Sequence, residues 1–206
     1  DKKKCLNNQK YLIKIKKNIP QKSGLGGGSM NASAIIRYFK NKNIIRLTEV
    51  EINDIANLIG SDVKLGIVKK NSVLFSNGNI LRVKNKLNLY TLLVKPDNLG
   101  CSTKEIYSNV RSFSSKRIKG KRVNYFKISN ILNLKNDLEK IVFKKYPKLK
   151  NLKLFMEKLP NVKIVRMSGS GSTFIAYFKS KNASINAIKI LKRKYKNYWC
   201  ILSKTI

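Results

Sequence analysis

Over residues 10–19, Tyr11, Ile13 and Ile15 fall on one face and Lys10, Lys14 and Lys16 on the other, the period of two that predicts a strand. The run ends at Pro20 and a glycine-rich string. After it, Ala32, Ile35, Ile36 and Phe39 recur at helical spacing and predict a helix over 29–40. Thr48 and Glu51 have the spacing of a capping box for a helix over 49–59, with Ile52, Ile55, Leu58 and Ile59 as its core face and Gly60 as its stop. Residues 72–75 and 80–83 read as a hairpin about Asn77-Gly78-Asn79. The apolar run 89–94 reads as a buried strand, Ser102-Thr103 as a helix start, and the basic stretch 111–124 as a loop. Helices are expected at 136–145 and 149–158. They are followed by a strand at 163–167, a tight loop at 168–171 and a strand at 172–178. A helix at 183–195 turns Ile185, Ile188 and Leu191 inward, and a strand at 199–202 closes the chain. This ending, β-β-α-β, predicts an α+β layer with helices on one face of a sheet. No internal repeat is visible.

Composition adds limits. A chain of 206 residues, 42% apolar and 27% charged, is globular in make-up and long enough for one large or two small domains. No apolar run approaches the roughly 18 residues that a membrane-spanning helix needs, so no membrane partner is expected. Asp1-Lys2-Lys3-Lys4 leads into no apolar run, so no leader is expected. The net charge of +35 points first to nucleic acid. Yet 37 of the 45 basic residues are Lys and only 8 are Arg, and Lys, Asn and Ile together make 85 of the 206 residues. That is the signature of A/T-rich coding, and the lysines are spread along the whole chain. A nucleic-acid partner is therefore not expected, although a basic RNA-binding protein stands as an alternative. The field still draws anionic substrates. Cys5, Cys101 and Cys200 are scattered and odd in number, which fits a reducing cytoplasm and argues against disulfides or a structural zinc. Histidine is absent. That removes Ser-His-Asp and Cys-His catalysis and His-ligated metals, and leaves a carboxylate or a lysine as the general base.

The chemistry-bearing segment is Pro20-Gln21-Lys22-Ser23-Gly24-Leu25-Gly26-Gly27-Gly28-Ser29-Met30. Four glycines in five positions, between an expected strand and an expected helix, let the backbone approach a ligand and leave bare N–H groups at a helix start. This is a phosphate cradle. It is not a Walker A loop, because no Gly-Lys-Ser/Thr occurs. It is not the dinucleotide fingerprint either, because Ser29 stands where the third glycine belongs.

The string resembles the ATP loop of the GHMP kinases, the family of galactokinase, homoserine kinase and mevalonate kinase. Within that family it is most like the branch acting on 4-diphosphocytidyl-2-C-methyl-D-erythritol in non-mevalonate isoprenoid synthesis. Other landmarks follow in the family's order: Gly60-Ser61-Asp62-Val63, 31 positions after Asn31; Pro96 with Ser102-Thr103 and Tyr107; Asn136-Asp137-Leu138-Glu139; and Met167-Ser168-Gly169-Ser170-Gly171-Ser172. The resemblance implies two domains. One, over 1–86, is ribosomal-S5-like and incomplete at its start; the other, over 87–206, is ferredoxin-like. It implies ATP and Mg²⁺ as cofactors and phosphorylation of the substrate's 2-hydroxyl. The phosphates would lie on the loop 20–30, with Ser29 reaching a phosphate or Mg²⁺. Asp62 would be catalytic, and Tyr107 would pack on the cytosine. It also implies a small-molecule substrate, a cytoplasmic monomer or homodimer, and no protein metal site.

From the local residues alone, Asp62 reads first as a helix cap, Tyr107 equally as a half-buried helix aromatic, and Asn136 and Asp137 first as a cap. The loop 168–172 reads as a brace for the glycine loop or as a plain turn. Lys22 and Ser23 stand where the family has small residues, Met30 where it has Ser, and Lys64 where it has Pro. The match begins mid-domain, without the family's opening Lys strand and Tyr-His pair. The expectation is therefore a fragment with little activity alone. A GHMP kinase with homoserine or mevalonate as substrate remains a second reading.

Overall fold

The computed structural model describes residues 9–68, 70–83, 87–114 and 126–205. The chain forms two compact units. The first holds the described residues up to Ile19 together with Gly26–Arg82; the second holds Pro20–Leu25 and the described residues from Val83 onward. The short segment Pro20–Leu25 thus belongs to the second unit, not to the first as a boundary at residue 86 would have it.

In the first unit, helix α1 (Gly27–Asn41) packs with α2 (Glu49–Ile59) and α3 (Val63–Ile67) around buried Ile36, Ile52, Ala56 and Val63. The capping box forms. Thr48 Oγ1 accepts from the Glu51 N–H at 3.3 Å, and Glu51 Oε2 accepts from the Thr48 N–H at 3.0 Å. The core face of α2 is narrower than its periodicity suggests. Ile52 is buried and Ile55 partly so, but Leu58 and Ile59 are exposed, and Ala56 takes the inner position. The helix stops at Gly60, whose N–H reaches Ala56 O. The hairpin forms as β1 (Asn71–Leu74) and β2 (Ile80–Val83), turning at Gly78 with φ of 78°.

Residues 10–19 do not form a strand. Their alternation is real, but a strand exists only when its N–H and C=O groups find a neighbouring edge, and no strand among the described residues pairs with them. Ile13 and Ile15 stay exposed, and Tyr11 stacks obliquely on Phe39 at 4.9 Å.

The second unit is a four-stranded antiparallel sheet in the order β4-β5-β3-β6. Its strands are β3 (Tyr90–Lys95), β4 (Ile164–Met167), β5 (Phe174–Phe178) and β6 (Trp199–Lys204). Chain order and strand order together make the split β-α-β arrangement of ferredoxin-like domains. Strand β3 lies between two partners, Leu92 facing Ala176 on one side and Leu202 on the other, and Thr91, Leu92, Val94 and Lys95 are buried along it. Helices α4 (Thr103–Ser108), α5 (Ile128–Leu132), α6 (Leu138–Lys145), α7 (Pro147–Glu157) and α8 (Lys181–Lys194) complete the unit. Val142, Leu149, Leu152, Met156, Phe174, Phe178, Ala187 and Leu191 form its core. On α8 the inward face is Ser184, Ala187 and Leu191, with Ile188 beside it and Ile185 only half-buried. Residues 111–114 are irregular, and the rest of the expected loop to 124 lies outside the described residues. The short helix α5 has too few periodic positions to be read from sequence.

Two substitutions test this packing in urea denaturation. Thr48→Ala should destabilise by about 1 kcal/mol through loss of the cap. Met156→Ala, at a fully buried site, should cost about 2–5 kcal/mol.

Candidate active site

The glycine-rich segment is shared between the two units. Its second half opens α1, where Gly26 is the N-cap residue in the left-handed region (φ 63°, ψ 25°), a conformation a side chain disfavours. The first intrahelical bond runs from the Met30 N–H to Gly26 O at 2.9 Å. The N–H groups of Gly27, Gly28 and Ser29 therefore lie ahead of the helix ladder. No acidic residue lies in the first turn and no side chain caps it. The space where side chains of Gly27 and Gly28 would stand is empty out to 4 Å. The result is a helix start of bare donors, with the positive end of a 15-residue helix dipole behind them.

Asp62 borders this start. A Cβ placed on Gly26 would lie 3.8 Å from Asp62 Oδ2, and one placed on Gly60 would lie 3.8 Å from Ser29 Oγ. Asp62 occupies the N-cap position of α3, but its backbone is helical (φ −78°, ψ −12°) and its side chain makes no cap hydrogen bond. The cap reading of this carboxylate therefore fails: the position fits, but the bond is absent. Instead the exposed carboxylate stands beside Gly26, the N-cap residue of another helix. Ser33, buried on α1, shares its hydroxyl between Ser29 O and Val63 O, each at 2.7 Å, and so ties the first turn of α1 to the start of α3.

The first half of the segment is held by the second unit. Ser23 is buried, and its carbonyl accepts from the Thr173 N–H at 3.2 Å. Gly24 O accepts from Ser168 Oγ at 2.9 Å. Gly24 itself has φ of 73°, and a Cβ there would meet Ser168 O at 2.2 Å and Gly171 O at 2.7 Å. Lys22 also adopts positive φ (50°), and its side chain lies against Gly100. The loop 168–172 is thus both a tight turn and a brace. Ser170 Oγ meets Thr103 Oγ1 at 2.9 Å, and Ser172 Oγ donates to Leu99 O at 2.5 Å.

Asn136 does more than cap. Its Oδ1 accepts from the Leu138 N–H at 3.0 Å, while its Nδ2 donates to Met167 O and Gly169 O at 2.9 and 2.8 Å. Asp137 makes no cap bond and accepts from the Ser114 N–H at 2.8 Å. Sequence reasoning did not single out Glu139, whose Oε1 accepts from the Met167 N–H at 3.0 Å; its signal was the motif Asn136-Asp137-Leu138-Glu139. Tyr107 stands half-exposed on α4, in the second unit. Below Gly171 lies Cys101, whose thiol is pushed above its ordinary pKa by burial, partly opposed by Lys95 and Lys145. It therefore stays protonated at neutral pH, which suits packing and not nucleophilic chemistry.

Among the described residues no group of three or more Cys, Asp or Glu is placed to hold a metal, and no helix is long and apolar enough to cross a membrane. The family model of the GHMP kinases N terminal domain matches residues 2–69, and that of the GHMP kinases C terminal matches residues 126–197. The chain belongs to the GHMP kinase family. A relative within the family, named 4-diphosphocytidyl-2-C-methyl-D-erythritol kinase in Pelagibacter ubique, is 50% identical over all 206 residues, which span 73% of its length. Two solved structures share the fold. A 4-(cytidine 5'-diphospho)-2C-methyl-D-erythritol kinase matches with a TM-score of 0.70 at 23% identity, over 92% of this chain and 68% of that one. A homoserine kinase from Cytophaga hutchinsonii matches with a TM-score of 0.63 at 14% identity, over the same shares of both chains. The two-domain α+β fold expected for a GHMP kinase is therefore the one present.

Gly24→Ala places a methyl group on two carbonyl oxygens at a left-handed position. It should cost about 1–3 kcal/mol in strain alone, read by urea denaturation, whereas Gly78→Ala at the open hairpin turn meets no atom and should pay only the left-handed penalty.

Proposed function

We propose that this GHMP kinase transfers the γ-phosphoryl group of ATP to the 2-hydroxyl of 4-diphosphocytidyl-2-C-methyl-D-erythritol. The observation that carries the reading is the uncapped carboxylate of Asp62 beside a helix start of bare amides. The 50% identity to a relative of that name supports the substrate.

Phosphoryl transfer asks a protein for positioning and charge neutralisation. The amides of Gly27, Gly28 and Ser29 fit a polyphosphate, because they lie ahead of the helix ladder, face no acid in the first turn of their own helix and lie at its positive end. The segment 20–25, the first half of the proposed phosphate loop, is held by the Thr173 N–H and the Ser168 hydroxyl. Asp62 orients the acceptor hydroxyl and takes its proton as the oxygen attacks phosphorus. Tyr107 is proposed to pack on the cytosine ring. Mg²⁺ suits this chemistry as a phosphate-borne ion: it is commonly held by one or two protein groups together with substrate phosphates, and here Ser29 Oγ would be such a group. When bound, the ion neutralises charge on the transferring group.

Asp62→Asn in the complete gene product should lower kcat by about 10²–10⁴-fold. ATP affinity should hold or improve, because a negative charge beside the phosphate-binding amides is removed. ADP release from 4-diphosphocytidyl-2-C-methyl-D-erythritol, with homoserine and mevalonate as competing acceptors, checks both points. Turnover surviving in the mutant removes Asp62 from the role, and preference for another acceptor replaces the substrate.

A further inference from the structure

The start of α6 sits against the far side of the loop that holds Gly24. Asn136, two residues before α6, and Glu139, in its first turn, both engage backbone groups of that loop. Asn136 Nδ2 donates to Met167 O and Gly169 O, and Glu139 Oε1 accepts from the Met167 N–H. Glu139 is buried, at 9% exposure. Its other oxygen takes Lys153 Nζ at 2.6 Å, so its charge is paired and its orientation held from α7. The braced residues lead straight to the glycine segment through Ser168 Oγ on Gly24 O and the Thr173 N–H on Ser23 O. Every link in this series lies in the second unit.

We infer that Asn136 and Glu139 are positioning residues for the half of the proposed phosphate loop that lies in the second unit, residues 20–25: they hold the turn after β4 in the shape that clamps Ser23 and Gly24. The inference rests on the proposed kinase reading for its nucleotide. The clamp itself can be read without one.

A merely structural role for Glu139 predicts that affinity follows stability in every variant. A positioning role separates them. In Glu139→Gln the side-chain oxygen still accepts from Met167 while the charge pair with Lys153 is lost, so stability should fall and ATP affinity should stay within about twofold. Glu139→Ala removes both and should weaken ATP at least tenfold. Asn136→Ala, at a partly exposed position, keeps the core intact and should also weaken ATP at least tenfold.

The test is ATP titration by calorimetry on the complete gene product, alongside thermal melting and hydrogen exchange at the Thr173 amide, whose acceptor is Ser23 O. Faster exchange at Thr173 in Asn136→Ala and Glu139→Ala, but not in Glu139→Gln, is expected. Unchanged affinity and unchanged exchange in Asn136→Ala overturn the inference. So does a Glu139→Gln variant as impaired in affinity as Glu139→Ala. If the wild-type protein binds no ATP, the kinase reading fails, and the exchange pattern alone decides whether the two residues set the clamp.

Discussion

Backbone meets backbone where Gly24 lies against the carbonyls of Ser168 and Gly171, and no side chain fits between them. Most features of the candidate site follow from that approach. It requires glycine at residue 24 and a tight turn after β4. The Ser168 hydroxyl satisfies Gly24 O at that contact, while Ser170 and Ser172 tie the same turn to Thr103 and Leu99. In the first unit, the donors ahead of Met30 are left out of the ladder of α1.

The second constraint is charge. Ten carboxylates stand among 45 cations, so what each carboxylate does is informative. Glu51 caps α2, Asp137 takes a loop amide, and Glu139 and Glu157 share Lys153; Glu105 pairs with Lys145. These serve the fold. Asp62 sits at a cap position without capping and lies beside a neighbouring helix start. A negative charge there would work against phosphate binding by that helix, a cost that the catalytic role proposed for Asp62 accounts for. The general positive field is a different matter. Lysines spread over a whole chain raise the local concentration of any anion but do not orient one; direction comes from the aligned amides.

Much of this was legible in the sequence because it is local. The capping box at Thr48 and Glu51, the hairpin at Gly78, the helix after the glycines and the β-β-α-β ending depend on neighbours within a few positions. The glycine pattern could be singled out because it carries its chemistry in the residue type; Asp62 stood out only through the family resemblance, since its local sequence favours a cap. What was not legible depends on distant partners. Residues 10–19 have a strand's alternation but, among the described residues, no edge to join. Leu58 and Ile59 have helical spacing yet find nothing to bury them. That Pro20–Leu25 would lodge in a unit built largely from residues beyond Val83 has no local signature at all. Glu139 gave only a motif, because its role lies in an amide 28 positions away.

The central claim is that main-chain amides at the start of α1, and not lysine side chains, grip the nucleotide. Amide nitrogen–proton spectra of the complete gene product, recorded while ATP is added at physiological salt, test it most directly. The account predicts large shifts at Gly27, Gly28 and Ser29, with little change at the far end of α1 near Lys40. Shifts confined to lysine-rich surface, with the signals of those three residues unmoved at saturation, would contradict it.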